Sequence, residues 1–162
     1  MRVFTRSLLA TALALLASGA WAQVSVNYVK PEQFSDMPFS VVDRERVLKA
    51  LSEHFAKLGE KLPAGQSLKI DVLDVDLAGR EIPRARSGED IRVMKGGADW
   101  PRMHLHYTLE QNGQVLRSGD DDLADMNYQD HINPYSSGDP LRYEKQMVDQ
   151  WFNKQFVPRK AG

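Results

Sequence analysis

The chain has 162 residues, 42% of them apolar and 27% charged, and it contains no cysteine. That composition fits one globular domain and excludes a disordered tail, a collagen or a repeat array. The 21 basic residues almost balance the 22 acidic ones, so the electrostatic footprint of a nucleic-acid binder is missing.

The first 22 residues read as a cleaved secretory signal peptide. Arg2 and Arg6 are followed by the apolar run Ser7 to Ala17, and Ala20-Trp21-Ala22 offers the small residues that a signal peptidase reads. The apolar run is well short of the roughly 20 residues needed to span a bilayer. Cleavage after Ala22 leaves 19 basic and 22 acidic residues, a formal charge of −3. With no cysteine there is neither a lipoprotein anchor nor a disulfide, so residues 23–162 are expected to hold together by their core alone. A periplasmic or secreted protein with no membrane span after cleavage is the expectation.

Val24 to Val29 alternates apolar and polar residues and predicts a strand, ended by Lys30-Pro31. Asp43 reads as the N-cap of a helix running to about Lys61, with Val47, Leu48, Leu51, Phe55, Leu58 and Leu62 as its apolar stripe. His54, on that helix's apolar side, reads as a satisfied core histidine. Pro63-Ala64-Gly65 is a turn. Leu68 to Leu77 is a second strand whose apolar phase slips after Val72, which predicts a bulge. Ala78 to Asp99 is a long polar loop in which only Ile91 to Met94 resembles a strand.

Met103 to Glu110 and Gln114 to Gly119 flank Asn112-Gly113, a strong signal for a tight hairpin. Counted from that turn, Leu109 faces Leu116, Thr108 faces Arg117, and His104 faces Asp121. Asp120 to Gly138 is a polar connection. Asp139-Pro140 then opens a last helix that runs to about Phe156 and stops before Pro158. The order β-α-β-loop-β-β-α predicts an α+β fold: a four-stranded, mostly antiparallel sheet with two helices packed on one face. His104, His106 and Thr108 would then lie on the open face.

Few residues offer chemistry. His104 and His106 share a strand face and, with Asp121, could ligate zinc or copper, although nothing places a third histidine nearby. The acids Asp120, Asp121, Asp122, Asp125 and Asp130 fail the spacing of an EF-hand loop and read as a solvated run. Asp74 and Asp76 could hold a cation or cap the next turn. Arg80, Arg84 and Arg86 could bind an anion, or pair with Glu81, Glu89 and Asp90. Glu144 falls inside the apolar stripe of the last helix, so it must be paired, hydrogen-bonded or protonated. The expected partner is Arg102 or Arg80. No nucleophile elbow, metalloprotease motif, phosphate loop or dinucleotide fingerprint is present, and no cofactor is implied.

The runs from Leu73 to Arg80, from Ala98 to Arg102, from Asp125 to Tyr128 and from Asp139 to Lys145 resemble the secreted proteobacterial family known as domain of unknown function 3016 (DUF3016). The likeness extends from Val24 to Phe156. It implies a periplasmic or secreted protein without an assigned activity, and it brings no catalytic residues. It marks Asp74, Asp76, Arg80, Trp100, Asp125, Tyr128 and Glu144 as the characteristic set. The leading expectation is therefore a non-catalytic module that binds an envelope protein or small ligand through the face around Arg80, Trp100 and Tyr128. The alternatives are a zinc- or copper-binding protein using His104 and His106, and a hydrolase of an envelope polymer using Glu144 or the Asp74/Asp76 pair. N-terminal sequencing of the exported protein should begin at Gln23, and Ala22→Arg should leave the leader attached.

Overall fold

The computed structural model describes residues 23–82 and 91–157. The segment 1–22 expected to be a leader, and Arg84 and Arg86, lie outside the described residues. The elements are β1 (Gln23–Tyr28), α1 (Val41–Gly59), β2 (Gln66–Asp76), β3 (Arg80–Ile82), β4 (Ile91–Val93), β5 (Arg102–Gln111), β6 (Gln114–Ala124) and α2 (Arg142–Phe156). The main sheet has the order β1-β2-β5-β6, and β3 pairs with β4 in a small second sheet. Only β1 and β2 are parallel within the main sheet; the other pairings are antiparallel, so the expected α+β class holds.

One face of the main sheet is apolar. Leu68, Ile70, Val72, Val75, Met103, Leu105, Tyr107, Leu109 and Leu123 form a single core with Leu51, Phe55 and Leu58 of α1 and with Met147, Val148, Trp151, Phe152 and Phe156 of α2. Gly59 lets α1 approach β1 closely, because a Cβ there would sit 2.6 Å from Cγ2 of Val24. The phase slip in β2 is a bulge at Leu73, which returns Val75 to the core. On the opposite face His104 and His106 are 41% and 38% exposed, so both imidazoles stay on the open side.

Two helix starts differ from the sequence reading. Ser40, not Asp43, caps α1: its hydroxyl accepts from the Asp43 N–H at 3.4 Å. Asp43 instead occupies the first turn, where a carboxylate complements the helix dipole and meets Arg46. Asp139 accepts from the Leu141 N–H at 2.9 Å, but it does so in a turn that precedes the helix, and α2 begins at Arg142. The polar loop after β2 also holds more structure than expected, because Arg80–Ile82 forms a strand against Ile91–Val93.

The hairpin register is the main correction. Asn112 and Gly113 both adopt positive φ, at 51° and 81°, as the turn requires. Glu110 pairs with Val115, but Leu109 pairs with Arg117, so Leu116 is an extra residue in β6. Beyond that bulge every pairing moves by one: Thr108 faces Ser118, His106 faces Asp120 and His104 faces Asp122. Asp121 therefore belongs to the helix side. Its Oδ2 accepts from Trp151 Nε1 at 2.7 Å and from Gln155 Nε2 at 3.0 Å.

Removing that carboxylate leaves the indole N–H of a buried tryptophan without a partner. Asp121→Ala should cost about 1–3 kcal/mol in chemical denaturation, whereas Asp122→Ala, with its side chain in water, should change little.

Candidate functional site

The turn after β2 is held by buried polar groups on both sides. Glu144, in the first turn of α2, is only 1% exposed. Its Oε1 accepts from the Ala78 N–H at 2.7 Å. Arg92 of β4 donates from Nη1 to the Ala78 carbonyl at 3.2 Å and to Asp36 Oδ2 at 2.7 Å. The next residue, Gly79, adopts φ +82°, and its N–H donates to the Asp99 carbonyl at 2.8 Å. A Cβ at Gly79 would meet the Val93 carbonyl oxygen at 2.7 Å, so both the backbone angle and the space demand glycine.

The expected ion pair of Glu144 with Arg102 or Arg80 is absent. Arg102 stacks over the Trp100 ring at 4.6 Å and lies 3.9 Å from Asp76, while Arg80 is exposed. Glu144 Oε2 and Arg92 Nη2 are buried without a hydrogen-bond partner among the described residues. Burial raises the Glu144 carboxyl above its usual range, against the opposing pull of the Ala78 N–H and the Arg92 charge.

Ala78, Tyr128 and Tyr143 make a small second core with Trp100 packed against it. The two tyrosine rings meet edge to face at 4.7 Å. Tyr128 donates its hydroxyl to Asp99 Oδ1 at 3.0 Å, and burial, aided by that carboxylate, pushes its pKa up to about 12. Asp99 accepts from the N–H groups of Lys95 at 2.8 Å and Gly97 at 3.0 Å, and these bonds hold its carboxyl below the usual range. Asp125 is buried, where it accepts from the Asn127 N–H at 3.2 Å and lies 3.2 Å from His131 Nδ1. Asp74 is fully used by Ser35, whose N–H and hydroxyl reach it at 2.7 and 2.6 Å. Asp76 is half-buried, and burial raises its carboxyl.

Glu144, Trp100 and Tyr128 thus converge on one turn, but in an interior rather than a cleft. Asp125 sits on the loop leading to Tyr128, while Asp74 and Asp76 tie the opposite side of the β2 end to the segment after β1. Arg80 alone faces open space. It borders a groove of about 440 Å³ whose wall includes Phe34, Met37, Pro38, Phe39 and Arg44. Phe39 is 96% exposed, and Val41 and Val42 beside it are more than half exposed.

Sequence reasoning passed over this groove because Pro31 to Phe39 has no motif. It also passed over Asp36 and Arg92, whose pairing depends on β3 and β4 meeting. Of the proposed metal ligands, His104 and His106 share the open face, but Asp121 does not join them. His104 and His106 bond to Asp122 and Asp120, Asp121 lies on the other face, and no metal-ligating cluster of three or more occurs among the described residues. His54 is the satisfied core histidine that was expected, with Nε2 at 2.8 Å from Asp149 Oδ1. Burial opposes ionisation of Asp149, but the bonds from His54 and from the Tyr135 hydroxyl outweigh it and hold that carboxyl below its usual range.

The fold and these buried ties define a small two-helix α+β domain whose one end is fastened by polar groups. The chain belongs to the family described as protein of unknown function DUF3016, whose model matches residues 22–154. No curated protein and no solved structure matches it. No helix among the described residues is long and apolar enough to cross a membrane.

The raised Glu144 carboxyl sets the sign of a pH effect. The folded state holds this proton more tightly than the unfolded state, whose value is near 4.5. The resulting stabilisation is complete below 4.5 and is lost as pH rises through the folded value. The thermal midpoint of the wild type should fall across that rise. Glu144→Gln, uncharged and still able to accept from Ala78, should flatten the profile; superimposable curves would refute the assignment.

Proposed function

We propose that this domain is a binding module of the cell envelope, delivered there by its leader, and that it takes an apolar segment of a protein partner in the groove beside Arg80. The observation that carries this reading is Phe39, a large aromatic side chain almost wholly in water at the lip of a groove. Exposed aromatic and arginine side chains beside a concave apolar wall are the usual anchors of a protein interface. Phe34, Met37 and Pro38 supply the wall, while Arg44 and Arg80 supply polar contacts at the rim.

Catalysis by the carboxylates is less well supported. Glu144 is closed off by α2 and the Ala78 turn, and both oxygens of Asp74 are engaged by Ser35. The groove therefore supports binding and not acid–base chemistry.

Photocrosslinking in the producing cells tests the reading. A benzophenone-bearing residue at position 39 should give one discrete crosslinked species upon irradiation, with a lower yield when Arg80→Glu is added. The same residue at Val115, which is exposed on the far hairpin, should not give it. No species at 39, or the same one at both positions, would overturn the proposal.

A further inference from the structure

The open face of the sheet carries a relay of three side chains. Ser118 Oγ lies 3.0 Å from His106 Nε2, and His106 Nδ1 lies 2.8 Å from Asp120 Oδ1. Asp120 can only accept when ionised, so the imidazole proton sits on Nδ1 and Nε2 is left to accept from the serine hydroxyl. That is the arrangement by which a histidine activates a serine, recognised by geometry and not by position in the chain.

The strand register supplies it without strain. His106 and Asp120 are directly opposite on β5 and β6, and Ser118, two residues before Asp120, shares their face. Thr108, opposite Ser118, places Oγ1 3.1 Å from the serine oxygen. The serine hydroxyl also lies 3.0 Å from the Tyr107 carbonyl, the competing acceptor for its one proton. His104 has the same carboxylate arrangement, Nδ1 at 2.6 Å from Asp122, but no hydroxyl bonded to it among the described residues.

We propose that Ser118, His106 and Asp120 form a nucleophilic site that cleaves short-chain acyl esters of polar alcohols. The inference stands apart from the groove, which lies on other elements. Lys69, Asp71 and Glu110 surround the site, with Lys69 directly opposite Thr108 and Asp71 directly opposite His106. Such a surface wets a polar alcohol and gives a long acyl chain nothing to bury against.

In the first step Ser118 Oγ bonds to the acyl carbon as its proton passes to His106 Nε2. The ester C–O bond then breaks, and that proton leaves with the alcohol. In the second step His106 takes a proton from water, whose oxygen attacks the acyl-serine; the carboxylic acid departs and Ser118 regains its hydrogen. Asp120 is the positioning residue that fixes the imidazole tautomer. The Thr108 hydroxyl, 3.1 Å from Ser118 Oγ, is the group that would donate to the oxygen that gains charge. One hydroxyl is a sparse oxyanion site that slows both steps, so the acyl-serine is expected to accumulate with an activated ester, whose good leaving group speeds the first step alone.

The test uses the purified full-length chain with p-nitrophenyl acetate. Peptide mapping should place one acetyl group on Ser118, with a burst of nitrophenolate. Ser118→Ala should abolish both, and His106→Gln should slow acylation about 100-fold. Asp120→Asn should slow it comparably, with partial recovery in Asp120→Glu, while His104→Gln leaves it unchanged. Acetylation spread over lysines, or hydrolysis that persists in Ser118→Ala through the imidazoles alone, would overturn the proposal. All four substituted side chains are at least partly exposed, so loss of fold does not confuse the outcome.

Discussion

A single extra residue in β6 decides what the two faces of the sheet can do. Leu116 has no opposite number in β5, and beyond it every side chain of the strand is turned over relative to an unbulged hairpin. Side chains alternate along a strand, so a one-residue slip exchanges core and solvent. With the bulge, Leu123 enters the core, Asp121 reaches Trp151, and Asp120 and Asp122 stand beside the imidazoles. Without it, Asp120 and Asp122 would point at the helices and Leu123 at water. Burial of unpaired carboxylates under α1 and α2 would cost far more than the lost ladder bonds.

The other end of the sheet is built on a different principle. There the chain leaves β2 in a sharp turn and must place peptide groups in an interior. Glu144 and Arg92 satisfy the two sides of Ala78 from opposite directions, and Asp99 continues the same task at Gly79. Hydrogen-bonded buried polar groups specify one geometry, because each alternative leaves a donor or acceptor stranded. Glu144, Arg92 and Asp99 fasten the turn, with Trp100 and Tyr128 packed beside it.

Much of the architecture was legible in the sequence. The apolar stripe of α1, the alternation of β5, the slip in β2 and the Asn112-Gly113 turn each report a local rule that nothing in the tertiary structure opposes. The mistakes have local causes too. Ser40 and Asp43 are both good capping residues three positions apart, and only the backbone shows which is the cap. The bulge at Leu116 has no signal at its own position, since Val115, Leu116 and Arg117 read equally well in either register; its signal lies downstream, where only the shifted register buries Leu123 and keeps Asp120 and Asp122 in water. Glu144 stood out as a carboxyl in an apolar stripe, but its partner proved to be a backbone amide, a group no side-chain pattern reveals. Ser118 became interesting only once the register put it beside His106.

The parallel pairing of β1 with β2 carries a cost in the order of assembly. The β5–β6 hairpin closes over two residues, whereas β1 reaches its neighbour only after the whole of α1 has been laid across the sheet. Closing the longer loop spends more chain entropy before any contact repays it. The hairpin is thus the pairing that costs the least chain entropy to close, whereas β1 is seated only through α1, where Gly59 meets Val24.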